Sequence, residues 1–262
     1  MGLISLNIKD KPIGFFDSGV GGISVLKAAV KLLPKENYIY FGDSKNAPYG
    51  TKKADEVIDL SFKAIDFLIS KGVKAAVVAC NTATSAAIEQ LRAKYKAISI
   101  IGIEPALKPA VELNRKGRII IMATPMTLSE TKFSRLMKAY EEGTIIQPLP
   151  CAGLVELIEG GILDGKITEN YLKEKFNPFV EEEIAAVVLG CTHYPFIKES
   201  LSKIIGEMVP IIDGSEGTVK QLERQLKSNN LLNDSSNEGT VEIYNSLEKT
   251  SIIDLSSRLL KL

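Results

Sequence analysis

Two stretches of this chain run from apolar residues straight into a thiol. "AAVVACNTATS" spans Ala75 to Ser85 and "AAVVLGCTHYP" spans Ala185 to Pro195, placing Cys80 and Cys191 at the ends of their apolar runs. Asn81, Thr82 and Thr84 follow the first cysteine. Thr192 and His193, the protein's single histidine, follow the second. A thiol ahead of a helix N-terminus has its thiolate favoured by the helix dipole and by free N–H groups. An imidazole two residues away adds a group that can exchange protons with it. A free cysteine more often packs as a small hydrophobe. That is the reading for Cys151, which sits in the less polar "PLPCAGLVELIEGG".

The pairing narrows the chemistry. Nucleophilic catalysis needs one cysteine and leaves the other idle. Disulfide redox chemistry would want the two adjacent. Two thiols on opposite sides of a small ligand suit proton transfer at both faces of one carbon: one takes a proton as thiolate, the other gives one as thiol. This is the pattern of two-base racemisation or epimerisation. Three scattered cysteines and one histidine make a poor zinc set, so no metal is expected. "DSGVGG" (17–22) has neither the P-loop spacing nor the dinucleotide fingerprint. It also reads as a glycine-rich turn in which Asp17 and Ser18 cap a helix.

These groups must be carried by regular elements. Apolar runs recur at 12–16, 38–42, 75–79, 98–102, 118–123, 144–149, 185–190 and 209–213. Amphipathic stretches of helical length lie between most of them, as at 22–33, 54–72, 85–96 and 196–208. Within 54–72, Val57, Leu60, Ala64, Phe67 and Leu68 mark one buried face, and Gly72 stands where a C-cap belongs. Strands apolar on both faces, alternating with helices, predict a mostly parallel sheet covered on both sides: an α/β fold.

"IGFFDSG" (13–19) has a counterpart in "IIIMATP" (119–125), and "AAVVACNT" has one in "AAVVLGCT" at similar spacing. The repeat predicts two related α/β domains. The first takes in 1–102 and the second 103–212. The tail, 213–262, returns to the first through a polar, flexible linker (228–239) and a strand-like stretch (240–245). Functional groups gather beyond the carboxyl ends of parallel strands. That rule points Asp17, Ser18, Cys80, Asn81 and Thr82 into a shared interdomain cleft, with Thr124, Thr127, Cys191, Thr192 and His193 opposite.

Composition sets the partners. The 262 residues carry 32 Lys plus Arg against 32 Asp plus Glu, so no basic field calls for nucleic acid and no basic amphipathic face calls for a membrane. "MGLISLNIKDKP" has neither the cationic lead nor the apolar core of a signal peptide. An odd set of cysteines without CxxC spacing fits free thiols and a cytoplasmic location.

In their order along the chain, "IGFFDSGVGG", "GDSKNAPYG", "VVACNTAT", "IEPALKPA", "CAGLVELIEGG" and "LGCTHYPF" resemble the cofactor-independent glutamate racemases of the aspartate/glutamate racemase superfamily. The resemblance implies two domains about a pseudo-twofold axis with the active site between them. It implies interconversion of L- and D-glutamate without pyridoxal phosphate or metal, supplying D-glutamate for peptidoglycan, often as a homodimer. It assigns Cys80 as the base toward D-glutamate and Cys191 toward L-glutamate. Asp17 corresponds to an aspartate beside the first cysteine, His193 to a histidine beside the second, and Glu159 to a further acidic group near the second. Asp17, Ser18, Tyr49, Gly50, Asn81, Thr82, Thr192 and His193 fall where the family binds substrate, with Thr124 and Thr127 as additions.

The chain departs from the pattern at "KNAPYG", which lacks a common arginine, at Ala152, where proline is common, and at "DGSEGT" (213–218). Three alternatives stand beside this reading. One is a racemase for another substrate, such as aspartate or a hydantoin. The others are a same-fold binding protein of the gyrase-inhibitor type and a thiol redox or metal module.

Overall fold

The computed structural model describes residues 7–140 and 143–262; the opening "MGLISL" of the stretch weighed as a signal peptide lies outside them. Strands β1 (Ile13–Asp17), β2 (Tyr38–Gly42), β3 (Ala75–Val78) and β4 (Ser99–Gly102) alternate with helices α1 (Ile23–Leu32), α2 (Ala54–Ser70) and α3 (Asn81–Lys94). Helix α4 (Leu107–Glu112) then leads to β5 (Arg118–Ala123), α5 (Pro125–Ser129), α6 (Thr131–Lys138) and β6 (Ile145–Pro150). After these come α7 (Leu154–Glu159), α8 (Gly165–Phe176), β7 (Ile184–Leu189), α9 (Lys198–Ile205) and β8 (Ile211–Asp213). The tail adds α10 (Ser215–Ser228), β9 (Val241–Asn245) and α11 (Thr250–Lys261).

The strands form two all-parallel sheets, ordered β4-β3-β1-β2-β9 and β6-β5-β7-β8. Read from the other edge, the second is β8-β7-β5-β6, the order of β4-β3-β1-β2. The two halves therefore repeat one topology, and β9 is an addition to the first.

Both faces of the central strands β1, β3, β5 and β7 are buried, which is why they read as continuous apolar runs. In the first sheet, Ile13, Phe15, Ala75 and Val77 pack with Leu26 of α1, Leu222 of α10 and Leu255 of α11. Phe16, Ala76 and Val78 turn the other way, onto Leu68 of α2 and Leu91 of α3. In the second, Val187 and Leu189 pack with Leu154, Leu172 and Leu201, while Ala186 and Val188 face Leu107 and Phe133. Each fully buried Val, Leu, Ile or Phe side chain among these contributes about 1.5–3 kcal/mol.

The local differences from sequence expectation have physical causes. Helix α3 begins at Asn81 rather than near 85, because Cys80 itself caps it: the Cys80 Sγ accepts the Ala83 N–H at 3.4 Å. Asn81, Thr82 and Thr84 are thus first-turn helical residues. Helix α9 starts at Lys198, after a short 3-10 turn over Tyr194–Ile197 that contains Pro195. Helix α2 closes as read, with Gly72 at φ +78° beyond its end. The 228–239 linker is irregular but tied down. Glu36 Oε1 accepts the Asn233 N–H at 2.8 Å, Lys9 pairs with Asp234 at 2.8 Å, and the Gly239 N–H donates to Pro34 O at 2.8 Å. Among the described residues, no helix is long and apolar enough to cross a membrane.

Candidate active site

Cys80 leaves the end of β3 and Cys191 the end of β7, so each sulfur stands beyond the carboxyl edge of its own sheet. The two edges face each other. Ser18, Tyr49, Gly50, Cys80, Asn81 and Thr82 of the first half line one small cavity, with Thr124, Cys191, Thr192 and His193 of the second opposite. Its volume is about 10 Å³, room for roughly one water molecule.

The two sulfurs have unlike surroundings. The Cys80 thiol donates to Ser18 Oγ at 3.5 Å. Burial, reinforced by the Asp17 carboxylate, pushes it up to about 12 despite the Ser18 and Ala83 contacts. Cys80 is held as a thiol. Cys191 Sγ lies 3.7 Å from His193 Nδ1, and His193 Nε2 lies 2.6 Å from Glu159 Oε1. Burial alone would lower the imidazole, but the Cys191 and Glu159 partners outweigh it and hold His193 well above its usual range. Burial would raise Glu159, but His193, the Val20 N–H and Ser44 outweigh that and hold its carboxyl below the ordinary value. Imidazolium and carboxylate therefore form a partly buried ion pair behind Cys191.

Much of this machinery is held across the boundary between halves. Glu159 ends α7 in the second half, yet Oε1 accepts the Val20 N–H of the first at 2.7 Å. Asp17 ends β1, and its two oxygens accept the Gly19 N–H at 2.9 Å and the Thr192 hydroxyl at 3.0 Å. Burial raises the Asp17 carboxyl above its ordinary value. Ser24 Oγ donates to Thr192 O at 2.8 Å. Thr82 meets Thr124 and Thr127 in a buried trio of hydroxyls at 2.9–3.1 Å. The glycine-rich turn makes the approach possible: a Cβ on Gly21 would stand 2.3 Å from His193 Nδ1.

Every residue singled out as catalytic or substrate-binding is therefore in this cavity or bonded to a group that lines it. Asp43 was missed. It is buried after β2, accepts from Tyr49 Oη at 2.7 Å and donates its N–H to Asp17 O at 2.9 Å. "GDSKNAPYG" contained it, and its place beside Tyr49 was the available signal. Cys151 lies buried in the core of the second half, three residues before α7. Among the described residues, Asn81 Oδ1 is buried without a hydrogen-bond partner, on a residue that lines the cavity. Among the described residues, no group of three or more His, Cys, Asp or Glu side chains could hold a metal ion.

The family profile described as Asp/Glu/Hydantoin racemase matches residues 18–222, a span that contains Cys80 and Cys191. The chain belongs to this family. It is an amino-acid racemase, an isomerase. It is 62% identical over 254 residues to a glutamate racemase of Clostridium botulinum, covering 97% of this chain and 98% of that one. Among solved structures it resembles glutamate racemase of Francisella tularensis in complex with D-glutamate, with TM-score 0.84 and 32% identity over 97% of this chain and 95% of that chain. It also resembles the Escherichia coli glutamate racemase in complex with L-glutamate and the activator UDP-MurNAc-ala, with TM-score 0.83 and 28% identity over 96% and 94%.

Proposed function

We propose that this racemase interconverts L- and D-glutamate by two-base proton transfer between Cys80 and Cys191. The observation that carries the reading is the pair of unlike thiols facing one cavity, Cys80 kept protonated and Cys191 backed by an imidazolium. Glutamate as the substrate rests on the 62% likeness to a glutamate racemase along nearly the whole of both chains. The domains that enclose it are 1–102 with 213–262 and 103–212.

In the L-to-D direction, Cys191 as thiolate removes the α-proton: the C–H bond breaks and an S–H bond forms. Cys80 then gives its own proton to the opposite face and becomes the thiolate. Reversing the roles runs the reaction backwards. The substrate's α-ammonium meets the unpaired Asn81 Oδ1, and its carboxylates take the hydroxyls of Thr82 and Thr124 with the backbone N–H groups at Tyr49, Gly50 and Thr192. Asp17 and the Glu159–His193 pair orient the groups around each sulfur. Water exclusion and fixed donors must stabilise the developing carbanion, because an α-proton is poorly acidic.

The reading places the enzyme in the cytoplasm as a homodimer, making D-glutamate for peptidoglycan; light scattering on the purified protein checks the dimer. Proton NMR in D2O tests the chemistry. The α-proton signal of both enantiomers should wash out without added cofactor, and Cys80→Ser and Cys191→Ser should each abolish racemisation. No exchange from either enantiomer by folded, reduced protein would reject glutamate and turn the test to aspartate.

A further inference from the structure

Glu159 has two carboxylate oxygens, and the contacts with Val20 and His193 use only one of them. The other, Oε2, receives the hydroxyl of Ser44 at 3.5 Å. Ser44 opens a 3-10 turn, Ser44–Asn46, just after β2. Its oxygen accepts Asn245 Nδ2 at 2.8 Å across 201 positions of chain. Asn245 is the last residue of β9, buried, and lies opposite Gly42 in the parallel register. Its own Oδ1 accepts the Leu247 N–H at 3.0 Å, which fixes the amide with Nδ2 toward Ser44. With its oxygen engaged as acceptor, Ser44 turns its proton to Glu159.

The next residue repeats the tie. The Ser246 N–H donates to Gly42 O at 3.0 Å, and Ser246 Oγ accepts the Lys45 N–H at 3.0 Å. Gly42 permits this approach, since a Cβ there would stand 3.0 Å from Asn245 Nδ2 and 2.4 Å from Gly19 O.

We propose that Ser44 and Asn245 are positioning residues for proton transfer at Cys191, acting through Glu159 and His193. The role rests on the two-thiol reading above. A partly buried carboxylate oxygen that loses a donor disfavours the charged form. The His193 imidazolium is then held less firmly, and the sulfur of Cys191 keeps its cationic neighbour for a smaller share of the time. Asn245 acts one bond further out, by holding the Ser44 hydroxyl. The Cys80 sulfur touches Ser18 and Ala83 instead, so this relay serves one thiol and not the other.

Alkylation by iodoacetamide at one fixed pH, read peptide by peptide by mass spectrometry, separates the two thiols. Ser44→Ala and Asn245→Ala should each slow Cys191 alkylation about five- to tenfold and lower kcat for glutamate similarly, leaving Cys80 within about twofold. Ser44→Thr, which keeps the hydroxyl, should restore the rate. In a Glu159→Gln background, Ser44→Ala should add nothing. Should Asn245→Ala fail to fold, Asn245→Asp keeps the shape and the Leu247 bond while removing the donor.

Unchanged Cys191 alkylation, equal slowing of both thiols, or a full further loss in the Glu159→Gln background overturns the role of Ser44 and Asn245 while the two-thiol reading stands. Racemisation that survives Cys191→Ser overturns that reading, and the positioning role with it.

Discussion

Cys80 and Cys191 are the same residue type in two electrostatic settings, and the difference comes from single neighbours. Burial is the larger cause of the raised Cys80 thiol and the Asp17 carboxylate the second. Asp17→Asn should therefore lower Cys80 from about 12 while leaving it above the ordinary thiol range, as a titration of thiolate ultraviolet absorbance would record. The Glu159–His193 pair makes a prediction about stability. His193 is raised in the fold, so its contribution is full below the ordinary imidazole value and is lost as pH rises through the folded value. Glu159 is lowered, so its contribution is full above the ordinary carboxyl value and is lost as pH falls through the folded one. Both are complete between about pH 4.5 and 6.5. In that window Glu159→Gln should cost about 2 kcal/mol, and thermal melts should show the deficit shrinking toward alkaline pH. The thiols themselves were legible because each ends an apolar run. Glu159 was legible only through the family resemblance: its partner His193 is 34 positions away and its donor Val20 139 away, distances at which no local pattern survives.

At the level of elements, the turn between β1 and α1 is a contact surface as much as a connection. Its glycines let the backbone of one half lie against the imidazole of the other. Gly21→Ala would drive a methyl to 2.3 Å from His193 Nδ1, so the halves must stand apart or the ring must turn. A displacement of this order costs about a hundredfold in kcat, with far-UV circular dichroism unchanged because neither sheet is touched. Most strands and helices could be read in advance, since residues that are buried on two faces or on one stripe leave a periodic trace. The start of α3 escaped because cysteine is not a standard capping residue, and a thiol doing that job has no recognisable spacing. The contribution of β9 to the site escaped for a different reason. Parallel pairing of Val241–Asn245 with β2 depends on chain folded far away, and "TVEIYN" carries no mark of its neighbour.

For the molecule as a whole, the tight fit between the halves sets the terms of catalysis. A cavity of about 10 Å³ does not admit an amino acid, so the halves must part for substrate to enter and close again for water to leave. Breaking one tie across the boundary should loosen the closed form without removing a reacting group. Ser24→Ala, which deletes the bond to Thr192 O, should raise KM about threefold to tenfold with a smaller change in kcat. The added strand has a consequence for biosynthesis. Tyr38 pairs with Val241 and Gly42 with Asn245, so a ribosome has made both cysteines, the histidine and both sheets' shared strands before β2 acquires its outer neighbour. Until then that edge is open to any other strand in reach. A message cut short before Val241 would yield a chain with every reacting atom in place and an unfinished sheet. Such a product should be lost to aggregation or proteolysis rather than released as a weak enzyme.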